Sequence, residues 1–467
     1  MGRTARGRTR HAVDPTGSIN DLVSRLREEL GPEVDGLDAA LHTDPPVSIR
    51  VNPAKWRPPP TIDPVPWCAN GRYLAERPAF TFDPLLHAGA YYVQEAGSML
   101  IEQAVRASGL AGERILALDL CAAPGGKSTH LRDLLHHDAL LVCNEVNGER
   151  RSVLKENMWK WGAANVMITG SDPERFGLLT GLFDLVMVDA PCSGEGMVRK
   201  DPHALRQWSP ALVEQCATVQ HEVLAHAWNC LRPGGILIYS TCTWEFSENE
   251  ARIKELVDDG GEVISIPSNS SSGILATSHL GIAALRCYPH HLRGEGFTIS
   301  MLRKSGDREA ILPGVGGDRA DHVTELAWLR PTRNWRTIEQ GDELFAIDGS
   351  WTRTIDALQG SLMMTSPGIP LAERKAGNWR PHAALALAQD MDPSAHPIID
   401  LDLEQAIALL RGHSIGAQDA SGIALATYRG MPLSWLQGAG NRWNNRWPAP
   451  WRIRSARPSA PPVSWST

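Results

Sequence analysis

No stretch of this chain approaches the eighteen or so apolar residues that a membrane-spanning helix needs. The opening segment 1–8 lacks the apolar core of a secretory signal. The expectation is a cytoplasmic protein with no membrane partner. Cys-x-x-Cys pairs are missing too. The eight cysteines, Cys68, Cys121, Cys143, Cys192, Cys216, Cys230, Cys242 and Cys287, are scattered, which predicts reduced thiols, no disulfide framework and no metal. Acids are absent from both ends. The first twelve residues carry Arg3, Arg6, Arg8 and Arg10, and everything from Ser421 onward carries Arg429, Arg442, Arg446, Arg452, Arg454 and Arg457, interleaved with Trp435, Trp443, Trp447 and Trp451. Arginine suits phosphate contact and tryptophan suits base stacking, so the net charge of −7 conceals two segments expected to touch RNA. A disordered arm and a small core with solvated arginines is the plainer alternative. There is no internal repeat, and no low-complexity tract beyond the Pro/Ser tail from Arg457.

What is present divides the 467 residues into several units. Residues 1–17 read as a basic flexible arm. In residues 18–41, Ile19, Leu22, Val23, Leu26 and Leu30 have helical spacing, and a short strand follows at 47–52, so 18–90 reads as a small N-terminal α+β domain. Strand-like runs at 115–120, 140–143, 166–169, 185–188, 236–239 and 297–302 alternate with amphipathic segments such as 210–231. That alternation predicts a doubly wound α/β domain with a mostly parallel sheet, over 91–304. Residues 305–323, rich in glycine and without apolar period, read as a linker. A small α+β module is expected over 324–392, with a helix near 381–388, then a β-rich module over 393–456 and a flexible tail over 457–467.

Residues 116–129 read as a strand, a turn of small residues and a helix start. Gly125 and Gly126 let the backbone approach a ligand, and the helix amino end offers N–H groups. A phosphate loop is excluded, because Cys121 stands where that pattern needs glycine, and the Gly-x-Gly-x-x-Gly spacing of dinucleotide binders is absent. Glu145, Asp172 and Asp189 follow the next three strands. An acid at such a place can hold ribose hydroxyls, and the ordered set fits a nucleoside with a carboxylate tail and no phosphates, which is S-adenosylmethionine. Cys192 and Cys242 each follow a buried strand, so one cleft could hold both thiols.

Several motifs together resemble the RNA cytosine-C5 methyltransferases of the Nop/Sun (NSUN) family, in its bacterial ribosomal RNA branch. Leu118-Asp119-Leu120-Cys121-Ala122-Ala123-Pro124-Gly125-Gly126-Lys127 is similar to the family's methionine-binding motif. Asp189-Ala190-Pro191-Cys192-Ser193-Gly194-Glu195-Gly196-Met197, with Arg199-Lys200-Asp201-Pro202, resembles one cysteine motif. Ser240-Thr241-Cys242-Thr243, with Glu248-Asn249-Glu250 beyond, resembles the other. Tyr91-Tyr92-Val93-Gln94-Glu95-Ala96 and Tyr288-Pro289-His290 are supporting matches. Gly430-Met431-Pro432-Leu433-Ser434-Trp435 and Asn444-Asn445-Arg446-Trp447-Pro448 resemble a PUA-like RNA-binding module. The chain departs from the pattern at Trp244-Glu245-Phe246-Ser247, where proline and another acid are usual, and at Gly97, where serine is common.

The resemblance implies a Rossmann-like methyltransferase sheet, S-adenosyl-L-methionine as cofactor, and RNA as partner, the expected targets being 16S rRNA or the small ribosomal subunit. A monomer is expected. It assigns Cys242 as nucleophile and Cys192 as the residue assisting product release. Cys121, Ala122, Ala123, Pro124, Gly125, Gly126, Lys127, Glu145, Asp172 and Asp189 would hold the cofactor. Carbon 5 of cytosine is a poor nucleophile until a thiolate adds to carbon 6, and such a thiolate needs a nearby cation or helix amino end; a helix starting just after Cys242 is expected to supply one. Asp189 is the candidate contact to the cytosine ring. Arg199, Lys200, Arg442, Arg446 and Trp447 are candidate RNA contacts. The competing readings are a tRNA cytosine-C5 methyltransferase, a DNA cytosine methyltransferase whose Pro-Cys thiol attacks, amino-group methylation, and a non-catalytic ribosome-assembly factor.

Overall fold

A computed structural model describes residues 15–268, 273–307, 324–456 and 465. Its centre is a ten-stranded mixed sheet. Five parallel strands, Leu116–Asp119, Leu140–Asn144, Val166–Thr169, Phe183–Asp189 and Leu231–Thr241, first to fifth along the chain, lie in the order third, second, first, fourth, fifth. Both faces are covered, so these strands are apolar almost throughout. The pleat divides them between two cores: Ala117, Leu141, Ile168 and Leu185 enter one, and Leu118, Val142, Met167 and Val186 the other. Strand order reverses between the first and fourth strands, the place where doubly wound sheets bind ligands at their carboxyl ends.

Antiparallel strands complete both edges. Phe297–Lys304, Ile282–Cys287 and Ile274–His279 continue the sheet beyond the fifth parallel strand, and Met364–Ser366 pairs with Val166–Thr169 at the far edge. The hairpin at 274–287 escaped the sequence reading because Ile274–His279 alternates exposed and part-buried positions and has little apolar content. Segment 324–392 does form a sheet of its own, Trp335–Gln340, Glu343–Asp348, Ile369–Lys375 and Asn378–Pro381. It is not a separate body, since it lends Met364–Ser366 to the central sheet and packs Trp351, Ile355 and Leu358 of its helical segment into the same core as Val186. Its α-helix is Thr352–Ser361, whereas the helix expected near 381–388 is one 3₁₀ turn, Ala383–Leu387. His382 caps that turn at the Ala384 N–H, and just past it Gln389 N–H is fixed to Gly162 O at 2.8 Å, which leads the chain away after Ala388.

At the N-terminus the expected single helix is two, Pro15–Leu30 and Val34–Leu41. They are separated at Gly31, whose φ is +57°, and at Pro32, which cannot donate to a preceding carbonyl. The first helix begins within the segment read as a flexible arm; the rest of that arm, 1–14, lies outside the described residues, as do 308–323 of the linker. Strands Gly71–Leu74, Val47–Val51 and Tyr91–Tyr92 form a small sheet, so the N-terminal unit runs past residue 90. Buried Arg50, oriented by Gln94 Oε1 at 2.8 Å, fastens it to the helix Gly126–Leu134 by donating to Asp133 Oδ2 at 2.6 Å. The C-terminal unit is a five-stranded sheet with the capped helix Leu403–Leu410. Of the expected tail only Trp465 is described, and it is buried against Trp56 and Tyr91 with its Nε1–H donated to Asp83 Oδ2 at 2.8 Å. Among the described residues no helix is long and apolar enough to cross a membrane.

Candidate active site

The first parallel strand ends at Asp119 and the chain turns through Cys121 to Gly125 before the helix Gly126–Leu134. Gly125 adopts φ +111°, which a residue with a Cβ would rarely tolerate. Ala122 N–H donates to Asn144 O at 2.8 Å, and Asn144 Nδ2 donates to Leu120 O and Ser171 O, so one buried amide knots three strand ends together. Asp119 lies beneath the turn and accepts from Ser128 Oγ at 2.6 Å; burial pushes its carboxyl up to about 7.

Beyond these strand ends lies a cleft of about 550 Å³. Cys121, Ala123, Pro124, Glu145, Asp172 and Asp189 line it, together with both Cys192 and Cys242. Four of the candidate cofactor residues do not line it: Ala122, Gly125, Gly126 and Lys127 shape the turn or stand behind it. Glu145 Oε2 is 3.2 Å from Arg150, and Asp172 caps the short helix Pro173–Gly177 by accepting the Glu174 N–H at 3.0 Å. The wall opposite comes from the helix Pro210–Cys230 through Val219, Glu222, Val223 and His226. Sequence reasoning missed these four, although their spacing of three and four residues marks one helix face. It also missed Val146, which is half-exposed at the cleft.

Asp189 ends the fourth strand, beside Ser240 of the fifth. Its Oδ1 accepts from Ser240 Oγ at 2.8 Å and its Oδ2 from Lys127 Nζ at 2.8 Å. Burial works against the Lys127 ammonium, but Asp189 more than offsets this and the net shift is upward, with Cys242 also among its electrostatic neighbours. The two thiols meet at the cleft, Cys192 Sγ and Cys242 Sγ being 2.9 Å apart, with Cys242 N–H donated to Cys192 Sγ at 3.3 Å. Hydrogen bonding to the Cys242 sulfur, reinforced by burial, pushes the Cys192 thiol well up. Cys192 therefore keeps its proton at neutral pH.

No α-helix starts just after Cys242. A 3₁₀ turn, Phe246–Glu248, comes first, and the helix Glu250–Asp258 begins eight residues beyond the thiol, so the nearby cation is Lys127 rather than a helix end. The intervening residues are spent on anchoring. Trp244 is fully buried, stacks on Tyr288 at 5.1 Å and donates its Nε1–H to Cys287 O at 2.8 Å. Glu248 Oε2 accepts from Ser193 N–H at 3.0 Å and from Gln220 Nε2 at 2.8 Å, holding the residue that follows Cys192. Asn249 accepts from Thr241 Oγ1, and Glu250 pairs with buried Arg286 at 2.7 Å. Gly196 N–H donates to Cys242 O, and a Cβ on Gly196 would meet Gly296 at 2.5 Å, so the loop after Cys192 packs closely on the segment before the strand Phe297–Lys304 because glycines face each other there.

The candidate RNA contacts fare unevenly. Trp447 is 2% exposed and packs in the core of the C-terminal unit, with Nε1–H donated to Trp451 O, so it presents no face for stacking. Trp435 and Trp443 are buried as well. Arg446 is paired with Glu373 at 3.1 Å and Arg199 with Glu295 at 3.0 Å, both largely enclosed. Lys200 and Arg442 are exposed. The scattered cysteines also hide a cluster: Cys68 Sγ and Glu102 Oε2 lie 3.7 and 3.3 Å from buried His130 Nε2. Glu102 is already met by Arg106 and the Ala69 N–H, and burial pulls His130 down to about 4, leaving a neutral imidazole whose Nδ1 has no partner beside a paired carboxylate.

Comparison with known proteins matches residues 110–303 to a family described as 16S rRNA methyltransferase RsmB/F. Residues 20–96 match the N-terminal domain of 16S rRNA methyltransferase RsmF, and 396–453 the methyltransferase RsmF PUA domain. The chain is 33% identical over 416 residues to ribosomal RNA small subunit methyltransferase F of Escherichia coli O127:H6, covering 83% of this chain and 84% of that protein. A methyltransferase homolog protein from Pyrococcus horikoshii superposes with a TM-score of 0.53 at 26% identity, over 62% of this chain and 100% of that one. NSun6 from Pyrococcus horikoshii, solved with SFG, shares the fold at a TM-score of 0.51 and 20% identity, over 61% of this chain and 98% of that one.

Proposed function

Because this chain belongs to the RsmF family of ribosomal RNA small subunit methyltransferases, we propose that it methylates carbon 5 of a cytosine in 16S ribosomal RNA. Cys242 is the attacking thiol and Cys192 assists release of the product. The observation that carries this reading is the pair of sulfurs 2.9 Å apart at one cleft, with the Asp189–Lys127 ion pair beside them.

The cleft suits S-adenosyl-L-methionine on its own chemistry. Its lining offers Glu145 and Asp172 at strand ends, and its arginine, Arg150, is already neutralised by Glu145, a donor set suited to ribose hydroxyls and an amino acid tail but hostile to a polyphosphate. The cofactor supplies an electrophilic methyl group. The protein's part begins with Cys242, whose thiol proton passes to solvent as Sγ bonds to carbon 6 of the cytosine; this pushes electrons to carbon 5, which takes the methyl while the pair of the broken sulfur–methyl bond stays on the sulfonium sulfur. Asp189, which lines the cleft, contacts the ring, and Lys127 behind it supplies positive potential as that charge develops. The carbon 5 proton then passes to water, the carbon 5–carbon 6 double bond re-forms, and the bond from carbon 6 to Cys242 breaks. Cys192, held as S–H, hydrogen-bonds the departing Cys242 sulfur. The base reaches the cleft only outside a stack, which favours a single-stranded or loop site, and exposed Lys200 and Arg442 remain for phosphate contact.

A DNA-type mechanism would make Cys192 the nucleophile, and its raised thiol argues against that. RNA containing 5-fluorocytosine, incubated with the protein and S-adenosyl-L-methionine, discriminates the two. The adduct should map to Cys242 and vanish in Cys242→Ala; an adduct on Cys192 that survives this substitution overturns the assignment.

A further inference from the structure

Glu195 lies three residues beyond Cys192, and Glu245 three residues beyond Cys242. The Glu195 side chain is fully buried, and its Oε2 accepts the Trp244 backbone N–H at 3.1 Å. A carboxylate carried by one cysteine loop thus grips the backbone of the other. Neutral contacts close the same seam: Gly196 N–H to Cys242 O at 2.9 Å, and the Ser193 and Thr243 hydroxyls at 3.1 Å. Glu248 crosses the same seam from the other side to the Ser193 N–H, and Glu195 brings a second carboxylate, which persists in so dry a place only with a partner. That partner is Arg25, whose Nη2 lies 2.6 and 2.7 Å from the two Glu195 oxygens while its Nε lies 3.2 Å from Glu245 Oε2. Arg25 comes from outside the catalytic sheet, on the helix Pro15–Leu30, which is seated through Leu22 and Leu26 in the cluster that contains Trp244.

We propose that Arg25 is a positioning residue for methyl transfer: one guanidinium, bridging acids at the same offset from each cysteine, sets the separation of the Cys192 and Cys242 sulfurs. The N-terminal helix is then a working part of the catalytic centre. The proposal rests on the reading of Cys242 as the attacking thiol, because misplacing a reacting group by an ångström can slow chemistry by about a hundredfold. Lysine at this position keeps the charge but cannot fork across two acids.

Sulfur separation can be read without catalysis. Diamide takes one electron and one proton from each of two thiols as they join, so the rate of Cys192–Cys242 disulfide formation in the full chain, mapped by mass spectrometry, reports their proximity. Arg25→Gln should slow this crosslink about tenfold and lower kcat by about tenfold or more, with KM for RNA changed less than about threefold; Arg25→Lys should fall between. If Arg25→Gln does not fold, Arg25→Gln/Glu195→Gln, which leaves no unpaired carboxylate in the seam, carries the same expectation. A folded variant with wild-type crosslinking and kcat overturns the proposal, and so does a rise in KM alone, which would make Arg25 an RNA contact. An Arg25-dependent crosslink in a protein that never methylates cytosine would leave the positioning role standing and sink the proposed reaction instead.

Discussion

Trp244 offers a quantitative test of how the loop after Cys242 is held. Its indole is completely buried, stacked on Tyr288 at an interplanar angle of 16°, and its Nε1–H is the partner of the Cys287 carbonyl. Trp244→Phe keeps a ring against Tyr288 and removes the donor, leaving a buried carbonyl unpaired at about 1–3 kcal/mol. Trp244→Ala loses the ring as well, and large-to-small changes of this kind cost about 3–5 kcal/mol before the orphaned carbonyl is counted. At about 2–4 °C per kcal/mol for a domain of this size, calorimetry should find Tm lowered by roughly 2–12 °C for the phenylalanine variant and by roughly 8–32 °C for alanine. A double-mutant cycle with Tyr288→Ala should return about 0.5–1.5 kcal/mol for the stacked pair. The reasoning is refuted if Trp244→Ala lowers Tm by less than about 3 °C, or if the two variants are equally stable, since the hydrogen bond and the ring would then contribute nothing separable.

Cys192→Ala should accumulate a covalent RNA adduct visible as a shifted band on a denaturing gel with unmodified substrate RNA, while Cys242→Ala should show none; an adduct in neither case contradicts the division of labour between the thiols. Asp119 adds a pH signature. Its carboxyl is raised to about 7 by burial, so the folded state holds a proton that the unfolded state releases, and this contribution should make stability of the ligand-free protein decline as pH rises from about 4 to about 7 and level off above that. Urea titrations across that range should show the decline shrinking in Asp119→Asn, and an unchanged slope would count against the assignment. Finally, if Arg442 contacts a phosphate, Arg442→Ala should reduce the log–log salt slope of RNA binding by about one, whereas Trp447→Ala should act on stability rather than on the slope.

The parallel sheet was legible because its strands are buried on both faces and therefore read as unbroken apolar runs, as at 166–169, where the expected and observed limits agree. The elements that were missed have weaker signatures for physical reasons. Met364–Ser366 has only three residues, and its role comes from the edge it meets rather than from its own composition. The break at Gly31-Pro32 was visible in the sequence but was outweighed by helical spacing on either side. At the site, Cys121, Glu145, Asp172, Asp189, Cys192 and Cys242 all reach one cleft, since each follows a strand and strand ends converge. The tryptophans near the C-terminus misled because interleaved arginine and tryptophan look alike whether the indoles stack on bases or fill a small core, and Trp435, Trp443 and Trp447 fill the core. Arg25 and Glu195 could not be paired from sequence, being 170 residues apart on different units.

The strand Met364–Ser366 has a consequence for biosynthesis. Thr365 donates to Ile168 O across 197 positions of sequence, so the edge it covers waits for its partner while the intervening chain is made. At about 5–20 residues per second, Val166–Thr169 spends roughly 10–40 s as an open, largely apolar sheet edge, the kind of surface that recruits another chain. Truncations ending before residue 364 should therefore aggregate even though every residue of the cleft is present, and the polypeptide downstream of the catalytic sheet acts on its upstream half as a built-in edge guard.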